Sequence, residues 1–289
     1  MLYLVLAILC SAAIGVLMRY SERRLQNRYV MFFTNYVICI LMARWFMGSS
    51  AQLLPKEEGL STAILIGAFS GIMYLVSLAY SQWDYTVNGI IMSNTFGKLG
   101  VLVPITLSAL VFKEVPTALQ LGGLALAIAA IIIINTDSAA GTVTEKGRKY
   151  KAGFLKLALV GHLLVSGVTE ALTNVFDKVG DPALKDNFLF FNFVFAMLTT
   201  LTVLLYQRKP FSKWDVLFGI LVGIPNYMSA RFLLYSLASL PSFVVFPVSC
   251  IGGIVMASLA GMLLFGEKLS RRKGIGLAII LAALLLLNL

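Results

Sequence analysis

The chain has 289 residues, of which 59% are hydrophobic and only 12% charged, with a formal net charge of +10. The charged share is about half that of an ordinary soluble domain, which excludes a soluble globular protein. The basic residues lie in short loops beside apolar segments, where they meet lipid headgroups, and this distribution argues against nucleic-acid binding.

Apolar runs of about 20 residues are long enough to cross a bilayer as helices. The runs are continuous and do not alternate, so they do not fit the strands of a membrane barrel. We therefore predict an all-α integral membrane protein with ten transmembrane helices. The stretch YSQWDYTVNGII is taken as the break between the third and fourth spans. In chain order the predicted spans are 2–18, 29–47, 60–80, 85–111, 117–135, 153–177, 188–206, 214–236, 241–265 and 271–289.

Residues 112–135 and 265–288 are two copies of one segment, and each closes a long apolar half-chain. At a constant offset of 153, eight of 24 positions match, including Glu114 with Glu267. Five spans per half is an odd number, so the second half enters the membrane in the opposite sense and the two halves form an inverted repeat. The predicted organisation is a first repeat at 1–135, a connecting loop at 136–152 and a second repeat at 153–289.

The basic residues are unevenly distributed between the two sides of the membrane. The loops after spans 1, 5, 7 and 9 hold fifteen lysines and arginines, against four in the opposite loops. The positive-inside rule places the first group in the cytoplasm. With ten spans, both termini of this multi-pass protein are predicted to lie outside the plasma membrane.

Motifs for soluble enzyme chemistry are missing from the sequence. It contains no H-E-x-x-H, no G-x-x-x-x-G-K-[ST] and no C-x-x-C. We expect no enzyme activity, no cofactor and no metal site. Since a phosphate-binding loop for ATP is missing, any transport is expected to be secondary.

Span 4 carries a lysine in its interior. Ionisable residues at membrane depth are costly, so they usually face a cavity or a partner. Lys98 has Asn94 one turn before it and Gly97 beside it, which leaves room for a ligand to approach closely. Lys98 and Asn94 are therefore candidate substrate-binding residues. The alternative is that Lys98 forms a structural pair with an internal carboxylate.

Span 6 carries polar residues at intervals of four: His162, Ser166, Glu170 and Asn174. This spacing puts them on one helix face, which we expect to face a cavity between the repeats. Glu170 and Asn174 are candidate substrate-binding residues, and Glu170 and His162 are candidates for proton coupling, because a carboxylate removed from water favours its protonated form. The alternative is a row of interhelical hydrogen bonds, each worth about 1 kcal/mol or less. A single histidine without a second ligand makes no zinc site.

Span 8 has the same spacing, with Tyr227, Arg231 and Tyr235 at intervals of four after Pro225. The proline frees a backbone carbonyl near the middle of the span, where broken helices often meet substrate. Tyr227 and Arg231 are further candidates for substrate binding. Glu170 and Arg231 lie at similar depth, so the two could form an ion pair, either as a permanent link or as a gate.

Aromatic residues near the end of span 3 complete the list of candidates. Tyr80 and Trp83 offer flat surfaces for a ring or a quaternary ammonium group. Trp83 has an alternative explanation, because tryptophan at the end of a span commonly marks the membrane interface.

The segments SALVFKEVPTALQLGG and LAGMLLFGEKLSRRKGIG, together with the five-plus-five layout, resemble a ten-helix, EamA-type member of the drug/metabolite transporter superfamily. Each segment has an apolar helix, a short acidic turn and a glycine-bearing helix. The resemblance implies the fold and a bacterial inner-membrane transporter, but it leaves the substrate open, since that superfamily carries amino acids, sugars, nucleotide conjugates, drugs and lipids. Two features depart from the pattern: the N-terminus is not basic, and Lys98 resembles the lysine in the fourth helix of the phosphate-sugar translocators.

The mixed intramembrane charges favour a secondary transporter of a small polar metabolite, such as an amino acid or another zwitterion, with possible coupling to protons. An organic cation or drug exporter of the same fold, a lipid-headgroup flippase and a non-transporting scaffold are the alternatives. The expected partners are the small-molecule substrate and the lipid bilayer, and the protein is expected to be a monomer or a homodimer.

Overall fold

The computed structural model describes residues 1–21, 24–48, 59–88, 90–137 and 152–265, with 274–276, 278, 279, 282, 283 and 286. All regular secondary structure in this part of the chain is helical, and the eight described positions after Phe265 are helical as well. In chain order the elements are α1 Leu2–Ser21, α2 Arg28–Met47, α3 Leu60–Asn88, α4 Ile90–Leu99, α5 Leu102–Leu110, α6 Ala118–Asp137, α7 Ala152–Val179, a 3₁₀ turn Pro182–Leu184, α8 Lys185–Gln207, α9 Lys213–Leu237 and α10 Ser242–Phe265.

Six of the described helices are long and apolar enough to cross a membrane: α1, α2, α3, α7, α8 and α9. Three shorter apolar helices occur at Thr95–Leu110, Ala118–Ile133 and Ser242–Met256. The prediction of a membrane protein with transmembrane helices is confirmed. The count of ten spans stays a prediction, because the ends of the tenth lie outside the described residues.

The predicted break after residue 80 is wrong, because α3 continues to Asn88. The stretch after Gly71 contains neither glycine nor proline, so nothing in the backbone ends the helix there. Among its described side chains, Ser81, Asp84 and Asn88 make hydrogen bonds within the protein. Asp84 is fully buried and accepts a hydrogen bond from Asn88 Nδ2 at 2.6 Å.

The fourth predicted span is two helices, α4 and α5, separated at Gly100 and Val101. Pro104 has no backbone N–H, and its ring would clash with the carbonyl of Gly100, four residues earlier, in a regular helix. Tighter bonds replace the helical ones, since Gly100 N donates to Gly97 O at 3.2 Å and Val101 N to Lys98 O at 3.3 Å. The break therefore comes directly after Lys98.

The chain forms two compact units: Met1–Leu75 with Leu172–Ser239 (unit 1), and Val76–Ala171 with Leu240–Leu289 (unit 2). Each unit draws on both predicted sequence repeats. The compact units therefore do not coincide with the repeats at 1–135 and 153–289. The repeats remain a prediction about the origin of the sequence.

Unit 1 is held together by close contacts between helices at glycine. A Cβ on Gly219 of α9 would lie 2.7 Å from Met31 O of α2, and one on Gly223 would lie 2.9 Å from Asn35 O. Two glycines four residues apart let a helix approach its neighbour at the backbone. Gly71 of α3 packs in the same way against α8, where an added Cβ would collide with Asn192 O.

The connection between α1 and α2 is fixed to the start of α9 by one buried carboxylate. Asp215 accepts hydrogen bonds from Gln26 N at 2.9 Å and Asn27 N at 3.2 Å. It also accepts from Ser212 N at 2.8 Å, which completes a capping box at the N-terminus of α9. Asp215 thus stabilises a helix start and a loop together.

Unit 2 also relies on a glycine contact, between the α4–α5 break and α7. A Cβ on Gly100 would lie 2.9 Å from Gly167 N, and a Cβ on Gly167 would lie 2.5 Å from Gly100 O. The backbones touch directly there. At the other side of the unit, Glu114 Oε2 accepts a hydrogen bond from Ser242 N at 3.1 Å and so caps the first turn of α10.

Candidate functional site

Two polar clusters, one in each unit, contain three of the predicted site residues: His162, Tyr227 and Arg231. The α3–α7 cluster lies in unit 2 and consists of Ser81, Asp84, Asn88 and His162. The α8–α9 cluster lies in unit 1 and consists of Asp186, Tyr227, Arg231 and Tyr235. Each is described separately below.

The α3–α7 cluster is a chain of hydrogen bonds through the one histidine of the sequence. His162 Nδ1 lies 2.9 Å from Asp84 Oδ2, and His162 Nε2 lies 2.9 Å from Ser81 Oγ. The other carboxylate oxygen of Asp84 accepts from Asn88 Nδ2. His162 and Asp84 are 3% and 0% exposed, so this polar pair is removed from water.

The directions of these bonds follow from the number of available protons. Ser81 Oγ lies 2.7 Å from Ser77 O, and a carbonyl oxygen can only accept, so the single hydroxyl proton of Ser81 points to Ser77. Ser81 Oγ must then accept from His162, and Nε2 carries a proton. A Ser-His-Asp hydrolase requires the opposite direction, with the imidazole accepting the serine proton. The cluster therefore lacks the activated hydroxyl that such chemistry needs.

Aromatic side chains border this cluster on the α7 side. Tyr80 donates its hydroxyl to Ala158 O at 3.1 Å, and its ring centroid is 6.1 Å from that of His162. Trp83 packs edge-on against Tyr80 at 5.2 Å and against Phe154 at 6.0 Å, and it is 41% exposed. Tyr80 is thus tied to the α7 backbone, while Trp83 forms the outer edge.

Lys98 and Glu170 are close in sequence to Gly100 and Gly167, the two glycines at which the α4–α5 break and α7 are in backbone contact. Lys98 is half-buried near the end of α4, and Glu170 is exposed in the middle part of α7. Opposite charges from two helices are therefore found around one position in unit 2. The side chain of Asn94 lies outside the described residues.

The predicted polar row on α7 is not uniform. His162 and Asn174 are buried, at 3% and 0% exposure, whereas Glu170 between them is exposed. Asn174 belongs to unit 1 and already has an interaction partner. The row therefore consists of two buried polar residues with one exposed carboxylate between them.

The α8–α9 cluster is built around a two-bond ion pair. Arg231 Nε donates to Asp186 Oδ1 at 2.8 Å, and Nη2 donates to Asp186 Oδ2 at 3.1 Å. Tyr227 donates to Asp186 Oδ1 at 3.1 Å. The guanidinium also lies 4.2 Å from the ring centroid of Phe46 and 4.8 Å from that of Tyr235, in cation–π contact with both.

A second ion pair adjoins the first. Lys185 Nζ lies 2.9 Å from Asp177 Oδ1, donates to Leu234 O at 3.3 Å, and lies 5.6 Å from the centroid of the Tyr235 ring. The ends of α7 and α9 are thus tied to the start of α8. A second lysine, Lys178, lies 4.0 Å from the other carboxylate oxygen of Asp177, so this corner of unit 1 contains two acids and three bases.

The carboxylate beside Arg231 is Asp186, and not Glu170 as expected from span depth. The sequence does not single out Asp186 as a site residue, because it lies just before the predicted start of span 7, where a charged residue is expected in a loop. Asp84 was overlooked in the same way, because it falls in the supposed break after span 3. In each case a basic side chain inside a predicted span, His162 or Arg231, is the available signal that a carboxylate is needed nearby.

The second half of the chain is similar in sequence to a known protein family. The EamA-like transporter family matches residues 158–289. This part of the chain is EamA-like. The predicted resemblance to the drug/metabolite transporter superfamily is thereby confirmed over residues 158–289.

Two further similarities extend over nearly the whole length. An uncharacterized protein of Haemophilus influenzae (strain ATCC 51907 / DSM 11121 / KW20 / Rd) is 24% identical over 292 residues, covering 97% of this chain and 95% of that protein. A protein of known crystal structure has a TM-score of 0.74 at 12% identity, with 100% of this chain and 97% of the other covered. At that identity the structural similarity shows a shared fold alone.

Proposed function

We propose that the protein is a secondary active transporter that moves a small zwitterionic metabolite across the plasma membrane by alternating access. Its two halves would be inverted five-helix repeats, with both termini outside. The recurrence of helix starts supports the repeat: α3 begins at Leu60 and α9 at Lys213, the same offset of 153 at which the sequence repeats.

The observation that carries the substrate class is that Lys98 and Glu170 lie on either side of the backbone contact between Gly100 and Gly167. A zwitterion has a carboxylate and an amine a few ångströms apart, and it needs a base and an acid held at a similar separation. Lys98 would bind the carboxylate with Asn94 one turn away, and Glu170 would bind the amine or exchange a proton.

The break between α4 and α5 supports the same position. Interrupted helices in transporters present backbone groups to substrates and ions. The break at Gly100 and Val101 follows Lys98 directly, and Gly97 leaves the backbone beside that lysine open. Tyr80 and Trp83 would form an aromatic wall for the same site.

The α8–α9 cluster would act as a gate. Opening the Asp186–Arg231 pair frees a guanidinium that can bind a carboxylate, with Tyr227 nearby and Asn174 on the same unit. A permanent structural pair is the alternative, and it predicts that the pair stays closed throughout transport. The aromatic rings around this guanidinium also favour a second candidate, an organic cation exporter. Phe46, Tyr235 and Asp186 surround the positive charge of Arg231, and the same groups could surround the charge of an organic cation.

The first test is the thermal stability of the purified protein with a panel of amino acids, organic anions, organic cations and lipid headgroups. A ligand at 100 times its Kd stabilises the bound state by about 2.7 kcal/mol. Zwitterions are expected to raise the melting temperature of the wild type but not of Lys98→Met or Glu170→Gln. Lys209→Met, which removes an exposed lysine, is the matched control and is expected to respond like the wild type.

Other responses would contradict this assignment. Stabilisation by organic cations alone would support the exporter, and stabilisation by lipid headgroups alone would support a flippase. If zwitterions stabilised Lys98→Met and Glu170→Gln as strongly as the wild type, the proposed binding site would be wrong.

A further inference from the structure

We infer that the Asp84–His162 pair is a proton-binding site and that its hydrogen bonds are those of a pair carrying one transferable proton. The inference rests on the proposed secondary transport and names the residues that would couple it to protons. It starts from the hydrogen bonds of the α3–α7 cluster. The two atoms that hold the proton are His162 Nδ1 and Asp84 Oδ2, 2.9 Å apart.

The proton count of the pair follows from its neighbours. Because Ser81 gives its hydroxyl proton to Ser77 O, His162 Nε2 must donate to Ser81. A lone pair on Nδ1 facing an ionised Asp84 would be repulsive at 2.9 Å. A second proton therefore lies between Nδ1 and Oδ2, on the nitrogen or on the oxygen. In both cases the pair has no net charge.

The same pair without that proton would have a net charge of −1. Both side chains are nearly inaccessible, at 0% and 3% exposure, and an uncompensated charge at such a position is strongly unfavourable. The proton can leave to water only if the carboxylate gains water or a cation, or if the ring moves. Loading and release are thereby linked to a change of conformation, which a coupling site requires.

The ring contacts the helix that carries the proposed substrate lysine. A Cβ on Gly97 of α4 would lie 2.9 Å from His162 Nε2, so the ring touches the α4 backbone with no side chain between them. Lys98 follows on the same turn. A movement of the His162 ring would therefore change its contact with α4, next to the position proposed for the substrate carboxylate.

Other titratable groups lie around the pair. Tyr80 of α3 packs beside the ring, Glu170 is two turns further along α7, and Lys98 and Cys250 are carried by α4 and α10. Asp84 differs from Glu170 because it makes hydrogen bonds through both of its oxygens and is fully buried. Asp84 is therefore fixed inside unit 2 by its own partners, whereas Glu170 is exposed on α7.

The test uses the single histidine as its own probe. The full-length protein is labelled with ¹⁵N-histidine and ¹³C-aspartate, purified through a tag without histidine, and studied by solid-state NMR in liposomes. At pH 7 we expect a protonated Nε2, together with a proton on either Nδ1 or the Asp84 carboxyl. In Asp84→Asn, one proton is expected to be lost, leaving a neutral ring. Asp181→Asn, an exposed cap that asparagine can replace, is the control and should leave the histidine signals unchanged.

The opposite NMR result overturns the inference. If the wild-type ring were neutral, with its one proton on Nδ1, the pair would be ionised and Ser81 would donate to Nε2. A neutral ring protonated on Nε2 beside an ionised Asp84 would equally contradict a loaded site.

A transport measurement separates this inference from the proposed function. Proteoliposomes are assayed for uptake of a radiolabelled amino-acid mixture with and without an imposed pH gradient. Acceleration by the gradient in the wild type that disappears in Asp84→Asn and His162→Gln supports the coupling role. Full acceleration in both variants overturns it while leaving the transporter intact. Uptake that is absent from the wild type counts against the proposed substrate class, and the NMR result then decides the proton site independently.

Discussion

Asp186 accepts two hydrogen bonds from Arg231, one on each carboxylate oxygen, at 2.8 and 3.1 Å. Such two-bond pairs are directional as well as strong. Breaking a fully buried pair by removing one partner costs about 3–5 kcal/mol. The side chains here are 19% and 14% exposed, so we expect a smaller cost.

The first prediction concerns this pair. Asp186→Asn is expected to lower the free energy of unfolding by about 2 kcal/mol, because Arg231 loses its counter-charge. The double variant Asp186→Asn with Arg231→Met removes both charges, and it should be more stable than the sum of the single changes implies. Thermal unfolding of all four proteins forms a double-mutant cycle. Strictly additive effects would show that the two side chains do not interact.

The second prediction concerns the contact between Gly100 and Gly167. Gly167→Ala puts a methyl group 2.5 Å from Gly100 O and should push α7 away from the α4–α5 break, at a cost of about 1–3 kcal/mol. Gly153→Ala lies on the same helix, where an added Cβ meets nothing within 4 Å, and is the matched control. The two melting temperatures are compared, and equal values would count against direct backbone contact.

The third prediction concerns Asp215. Replacing it with alanine leaves the backbone N–H groups of Gln26, Asn27 and Ser212 without their acceptor. Since hydrogen bonds to charged groups are worth about 1.5–3 kcal/mol each, we expect a loss of about 3 kcal/mol or more in unfolding free energy. Asp181→Ala removes an exposed cap and should cost less. The idea fails if the two variants melt at the same temperature.

The fourth prediction concerns Gly97. A methyl group there would lie 2.9 Å from His162 Nε2 and would compete with the bond to Ser81. In Gly97→Ala the ¹⁵N signal of Nε2 is expected to shift, and any acceleration of uptake by a pH gradient should weaken. Gly122→Ala, with nothing near its added Cβ, is expected to change neither quantity. An unaltered Nε2 signal in Gly97→Ala would contradict the proposed contact.

Much of the helical layout could be predicted from hydrophobic runs alone. The predicted starts at 29, 60 and 214 lie within one residue of those of α2, α3 and α9. The misplaced boundary after residue 80 has a physical cause. A hydropathy scale assigns Asp84 to a solvent-exposed loop. In the folded chain its carboxylate is buried and makes hydrogen bonds with His162 and Asn88.

The site was predicted less completely, because hydrophobic patterns do not specify partners. His162 and Arg231 were recognisable as costly groups inside spans, but spacing along one helix cannot show which carboxylate is nearby on another. The paired acids, Asp84 and Asp186, lie at positions where a span was thought to end or begin. The direction of the bond between Ser81 and His162 depends on a third atom, Ser77 O, which only coordinates reveal.

The composition of unit 1 has a consequence for synthesis. Asn35 in α2 accepts a hydrogen bond from Asn226 Nδ2 at 3.2 Å, from a residue 191 positions later in the chain. At a translation rate of about 5–20 residues per second, α2 waits roughly 10–40 s for this partner. During that interval the Asn35 amide of a newly inserted α2 needs another hydrogen-bond partner. Insertion factors that shield polar helices from lipid are therefore needed most at an early stage of synthesis.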